Sequence, residues 1–244
     1  MGLPLLLLLG ALAGAAEPSF AGERLEWAMR YAGLSAGSAW AEAHAVGEQL
    51  LLEAGCQNAS WYDAIYQVHD WVRSTWTPGR GSSRYETRFR EGSFHQDQDM
   101  HLYPDRVEVW RDQERDGVWR ESTTRYPAAP SAEDPVSAMY ALRSLDGDGP
   151  WTLAVWNGKR ALRVTVAPGP QTTLETAFGP LPARAISLDV PHEGEVEQKG
   201  TFTVWLGLDP SRLPLRAELR ANVGTFRADL VRWRPSSGSA AKVE

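Results

Sequence analysis

Across residues 201–233 apolar and polar side chains alternate, and this two-residue period constrains the fold more than any other feature of the chain. Phe202, Val204, Leu206 and Leu208 stand against Thr203 and Trp205, and Leu215, Ala217 and Leu219 against Arg216, Glu218 and Arg220. Successive side chains of a strand point to opposite faces, so each run offers one face to a core and the other to solvent. The period recurs upstream, where Leu25, Trp27, Met29 and Tyr31 oppose Arg24, Glu26 and Arg30, and the chain returns through residues 35–45 after Gly33. That is a first hairpin.

Residues 49–56 read as a further strand, and residues 60–68 as a short helix behind Ser60, with Trp61, Ile65 and Val68 at helical spacing. Runs at 70–75, 83–91, 93–103, 106–112 and 118–124 form a meander, with turns at Pro78-Gly79, Gly92, Pro104-Asp105 and Asp116-Gly117. Their short spacing favours antiparallel pairing. One clear helix follows at 134–144, with Asp134 as N-cap and Pro135 at its first position, ended by Gly147 and Gly149. Strands resume at 152–156, turn at Asn157-Gly158, and continue at 161–166, 172–177 and 183–190 before an acidic loop at 191–200 and the closing three strands. The chain is all-β with one short helix.

Residues 1–16 have the apolar run Leu5 to Leu9 followed by small residues, the shape of a cleavable signal peptide; cleavage after residue 21 is the alternative. The run is far short of the roughly 20 residues of a transmembrane helix. No cysteine follows the leader, which argues against a lipoprotein. Residues 22–233 are expected to form a single antiparallel β domain, and the Ser/Ala-rich tail at 234–244 to be disordered. Cys56 is the only cysteine, so it is either buried and inert or available for an intermolecular pair. A net charge of −6 argues against nucleic acid and against anionic membrane surfaces as partners.

Several short motifs fit a known family. Gly22-Glu23-Arg24-Leu25-Glu26 with Ala36-Gly37, then Val68-His69-Asp70, Arg90-Glu91-Gly92, the helix segment Asp134-Pro135-Val136-Ser137-Ala138-Met139-Tyr140 with Leu142-Arg143, Val204-Trp205-Leu206 with Asp209-Pro210 and Leu213-Pro214, and Gly224-Thr225-Phe226 resemble a bacterial exported family, domain of unknown function 3108. The resemblance implies a strongly curved antiparallel sheet or partly open β-barrel in the periplasm of a Gram-negative bacterium. It carries over no catalytic residues. His69 and Gly207 depart from the residues expected there.

One arrangement suits metal chemistry. On a strand, His95, Asp97, Asp99 and His101 share a face at intervals of about 7 Å, too far apart for all four to meet one ion. A site would need two of them and a neighbour; otherwise they are a solvated face. There is no G-x-S-x-G elbow, no second histidine after His192-Glu193, no P-loop and no C-x-x-C, so the reading is not an enzyme and no cofactor is expected. Two classes remain. In one, the sheet encloses a pocket for a lipid, glycolipid or saccharide, with Trp27, Trp110, Trp119 and Trp205 among its eleven tryptophans as lining candidates. In the other, the interior is filled and an exposed edge docks another envelope protein. The binding reading is favoured.

Overall fold

The computed structural model describes residues 20–63, 66–156, 158–190, 201–221 and 224–236. The first half is a meander of eight strands: β1 (Arg24–Tyr31), β2 (Leu34–Val46), β3 (Gln49–Asn58), β4 (His69–Thr77), β5 (Gly81–Glu91), β6 (Phe94–Leu102), β7 (Arg106–Arg115) and β8 (Val118–Pro127). The single turn α1 (Ser60–Asp63) lies between β3 and β4, and α2 (Pro135–Ser144) follows β8. Six strands complete the chain: β9 (Trp151–Trp156), β10 (Ala161–Thr176), β11 (Gly179–Asp189), β12 (Thr201–Gly207), β13 (Pro214–Ala221) and β14 (Gly224–Arg234). The leader, Asn157, the acidic loop at 191–200 and residues 237–244 of the tail lie outside the described residues.

All fourteen strands form one antiparallel sheet in the order β8-β7-β6-β5-β4-β3-β2-β1-β14-β13-β12-β11-β10-β9. The chain runs outward from the centre to β8, crosses to the far edge through α2, and runs back from β9 to the centre, where β14 pairs with β1. This corrects the expectation of a strongly curved sheet or partly open β-barrel: the ladder is open, and β8 and β9 are its two edges without pairing to each other. The reason is local. Pro127 ends β8, and the backbone of β9 that would face another strand is already bonded: Glu133 N–H donates to the Ala154 carbonyl at 2.7 Å, and Trp156 N–H to that of Glu133 at 2.7 Å. The edges meet through side chains, Tyr126 and Trp156 lying edge to face at 5.6 Å.

The alternation reads directly as burial. Leu25 and Trp27 in β1, Ala41 and Ala43 in β2, Val107 and Val109 in β7 and Val204 and Leu206 in β12 are buried on one face of the sheet. Helix α2 packs on that face. Val136, Tyr140 and Ala141 join Leu52, Trp76, Tyr85 and Met100, while Leu142 joins Val166, Ile186 and Val204. The helix therefore holds both halves of the sheet together. Two expected strands, at 161–166 and 172–177, are one: β10 passes through Pro168-Gly169-Pro170 by a register shift, since a bulge tolerates a proline that cannot donate to the ladder.

The start of α2 follows from its residues. Asp134 accepts from the N–H groups of Val136 at 2.8 Å and Ser137 at 3.0 Å, and the Ser137 hydroxyl accepts from the Asp134 N–H at 2.9 Å, a complete capping box. The second carboxylate oxygen accepts from the Ser82 hydroxyl of β5 at 2.6 Å, which pins the helix to the sheet. At the other end Arg143, buried, pairs with buried Glu23 at 2.5 and 2.8 Å and donates to the Ser211 carbonyl. Trp233 of β14 donates to the same Glu23 carboxylate at 3.2 Å.

Candidate functional site

Helix α2 covers only part of the apolar face. Toward the end of the sheet where β1 turns into β2, the same face continues through Met29 and Tyr31 of β1, Ala228 and Phe226 of β14, Ala217 and Leu219 of β13 and Phe202 of β12, in register across four neighbouring strands. A second wall comes from α1 and the segment after it. Trp61 donates its indole N–H to the Ser35 carbonyl at 3.1 Å, and Tyr66 donates its hydroxyl to the Glu91 carbonyl at 3.1 Å. Asn58 ties this segment to the sheet by accepting from the Val68 N–H at 2.9 Å and donating to the Tyr66 carbonyl.

Between the walls lies a groove of ≈ 700 Å³. Two glycines shape it. A Cβ on Gly92, whose φ is +55°, would stand 2.5 Å from the Tyr66 ring, and one on Gly224, with φ +139°, 2.9 Å from Tyr31. The latter close approach lets Tyr31 lean on Phe226, with ring centroids 4.5 Å apart. The rim carries large apolar side chains that remain well exposed: Leu34 is 65% exposed, Trp61 54% and Phe226 45%. Gathered around a concavity, such side chains form one contiguous apolar rim, unlike single scattered ones.

Glu91 is the one acidic side chain among the described lining residues. Burial, and then a hydrogen bond with the Asp70 side chain, raise its pKa above the ordinary glutamate value. Asp70 is held by the Arg90 N–H at 3.0 Å and lies 3.9 Å from the Cys56 sulfur. Burial, reinforced by the charges of Asp70 and Glu91, pushes the Cys56 thiol up to about 11. A thiol so far above neutrality is protonated and is not a nucleophile. The described lining also includes Arg30 of β1 and Arg227 of β14, which stand opposite each other in register, so the groove is mainly apolar but not uncharged.

The profile of a protein family of unknown function, DUF3108, matches residues 26–231. The chain belongs to the DUF3108 family. No curated protein matches this DUF3108 chain. Among solved structures, the β-barrel-like protein of domain of unknown function DUF1849 from Brucella abortus has 12% sequence identity, a TM-score of 0.59, and coverage of 89% of this chain and 99% of its own. The two share a fold. The hypothetical protein CT021 from Chlamydia trachomatis has 11% identity and a TM-score of 0.39, covering 88% of this chain and 89% of its own.

The DUF3108 chain places the sequence-derived candidates away from this groove. Trp27 is buried in the core and donates to the Pro214 carbonyl at 3.0 Å. Trp205 packs half-buried against the cluster around Leu213 and Leu215. Trp110 occupies a position between buried Val109 and half-buried Arg111, and Trp119, on the edge strand β8, stacks on His95 and under Arg90. His95, Asp97, Asp99 and His101 do share a strand face, and different partners hold them: Glu114 for His95 at 2.5 Å, Arg90 for Asp97 at 2.7 Å, and Arg84 for Asp99 at 2.7 Å, with His101 at 3.3 Å from Asp99. Among the described residues no group of three or more His, Cys, Asp and Glu is placed to hold a metal ion.

Sequence reasoning missed Tyr31, Trp61, Leu219 and Phe226, which come from four separate elements. A signal was present in the strands: Tyr31 and Phe226 continue the apolar face right up to the turns, where a strand ordinarily becomes polar.

Proposed function

We propose that this protein is a non-catalytic binding or carrier protein of the bacterial envelope, and that its ligand is an apolar chain held in the groove between α1 and strands β12, β13, β14 and β1. The observation that carries the reading is the groove itself: ≈ 700 Å³, lined by Met29, Tyr31, Trp61, Leu219 and Phe226. That volume falls in the ~300–1,000 Å³ range of small-molecule sites. At about 30 Å³ per water-sized atom it accommodates roughly 23 heavy atoms, the size of one long acyl chain. Export rests on the leader at residues 1–16. Among the described residues no helix is long and apolar enough to cross a membrane.

Docking of another protein by strand addition has less support. The edge strand β8 carries Arg120, Glu121 and Arg125, and charged edges resist pairing. The backbone of β9 is engaged by Glu133.

The test is native mass spectrometry of the protein purified from its own periplasm, followed by organic extraction, alongside titration of the purified chain with a fluorescent naphthylamine probe. A co-purifying lipid, or saturable probe binding that Phe226→Asp abolishes without loss of folding, supports the reading. Probe binding that is absent, or unchanged in that variant, sinks it.

A further inference from the structure

A second cavity, of ≈ 430 Å³, lies on the α2 side of the sheet over β5, β6 and β7, roofed by Pro135, Trp156 and Lys159. Its floor breaks the apolar pattern of that face. Two cross-strand rows line it, Thr87 opposite Gln98 opposite Arg111, and Phe89 opposite Gln96 opposite Gln113. The next row along the same strands is the core row Tyr85, Met100 and Val109. Polar side chains beside a core are unfavourable unless each finds a partner.

Two do not. The Thr87 hydroxyl oxygen and the Trp156 indole nitrogen have no hydrogen-bond partner among the described residues, although Thr87 is only 2% exposed and Trp156 3%. Both residues line the cavity. Arg111 donates to the Gln98 side-chain oxygen at 2.9 Å and to the Gly158 carbonyl at 2.7 Å, both neutral acceptors. No carboxylate belongs to the described lining.

We propose that this cavity is a binding site for a sugar acid, a hydroxylated ring bearing one negative charge, whose hydroxyls meet Thr87, Trp156 and the glutamine amides while its carboxylate faces Arg111. The chemistry matches group by group: amides and a hydroxyl donate to and accept from ring hydroxyls, half-buried Phe89 offers an aromatic side chain to the ring's C–H groups, and a guanidinium binds a carboxylate strongly. At about 30 Å³ per water-sized atom the volume holds roughly fourteen heavy atoms, close to one hexuronic acid. The site is independent of the apolar groove, although Phe89 and Glu91, one in each lining, are two residues apart on β5.

Calorimetric titration with glucuronate and with glucose tests this, with Arg111→Gln and Thr87→Val as variants. The wild-type protein is expected to bind glucuronate at millimolar concentration or below and glucose about tenfold more weakly. Arg111→Gln should remove that preference, and the isosteric Thr87→Val should weaken both ligands several-fold while the thermal midpoint stays within a few degrees. Phe226→Asp should bind glucuronate as wild type does, so loss of the groove reading leaves this one standing. Octyl glucuronide separates the sources: tighter binding than free glucuronate assigns a lipid headgroup, equal binding a free saccharide. Absence of glucuronate binding at roughly 10 mM, or unchanged preference in Arg111→Gln, overturns the proposal and leaves a merely hydrated cavity.

Discussion

Glu133 is a carboxyl set against Trp76 and the cap of α2, and burial is the main reason that its pKa is pushed up to about 7. The unfolded chain titrates it near 4.5, so between these values the folded state holds a proton that the unfolded state has lost. Stability from this group is therefore full below about 4.5 and declines as pH rises through 7. Glu133→Gln is expected to melt close to wild type at pH 4.5 and to be more stable at pH 8, by order 2–3 kcal/mol; thermal melts across that range check it, and a gap of the opposite sign would refute it. Cys56 gives a second check. With its thiol near 11, alkylation at pH 8 should run about 100-fold slower than for an ordinary cysteine, as mass spectrometry of a timed iodoacetamide reaction would show. At this scale the sequence revealed which side chains share a face but not what stands opposite them. The histidine and aspartate residues of β6 alternate as read, yet Arg84, Arg90 and Glu114, on neighbouring strands, decide what they do.

Helix α2 was legible because its signals are local: a capping aspartate, a proline behind it and an apolar stripe. Asp134 also does something no local pattern announces, since its second oxygen holds Ser82, 52 residues away. Asp134→Ala should therefore cost more than a surface cap, about 2 kcal/mol in place of the usual ~1, read as a shift in urea midpoint at unchanged slope. A loss under 0.5 kcal/mol would show the Ser82 bond to be idle. Helix α1 shows the opposite case: helical spacing reached Val68, but the helix spans four residues and Val68 bridges to Glu91. The segment is held by side chains of Asn58, Trp61 and Tyr66 reaching distant carbonyls, and periodicity does not report such contacts. The groove inherited that obscurity, because one of its walls is this segment.

Over the whole molecule, alternation established the strands and the short spacing between them their antiparallel sense, while the openness of the sheet depended on what each edge touches. No periodicity records that Glu133 occupies the side of β9 where another strand would pair. The edges should also be the least protected regions: in hydrogen exchange, amides of β8 are expected to exchange fastest and those of β1 and β14, at the centre, slowest. Exchange in the reverse order would contradict the strand order. The buried Arg143–Glu23 pair joins the segment before β1, helix α2, the loop after β12 and, through Trp233, β14. Arg143→Ala strands the Glu23 charge and should cost about 3–5 kcal/mol, whereas Glu23→Gln combined with Arg143→Met should recover much of it, as denaturant titration of the single and double variants would show.

The pairing of β1 with β14 has a consequence in time. A chain made from its N-terminus delivers one partner of the central ladder among its first strands and the other as its last. Until β14 arrives, β1 presents a bare flank in the middle of the future sheet, and contacts of such long sequence separation form slowly. The order of the strands thus postpones completion of the fold until nearly the whole chain is present, so the two halves of the sheet stand apart until the last strand docks.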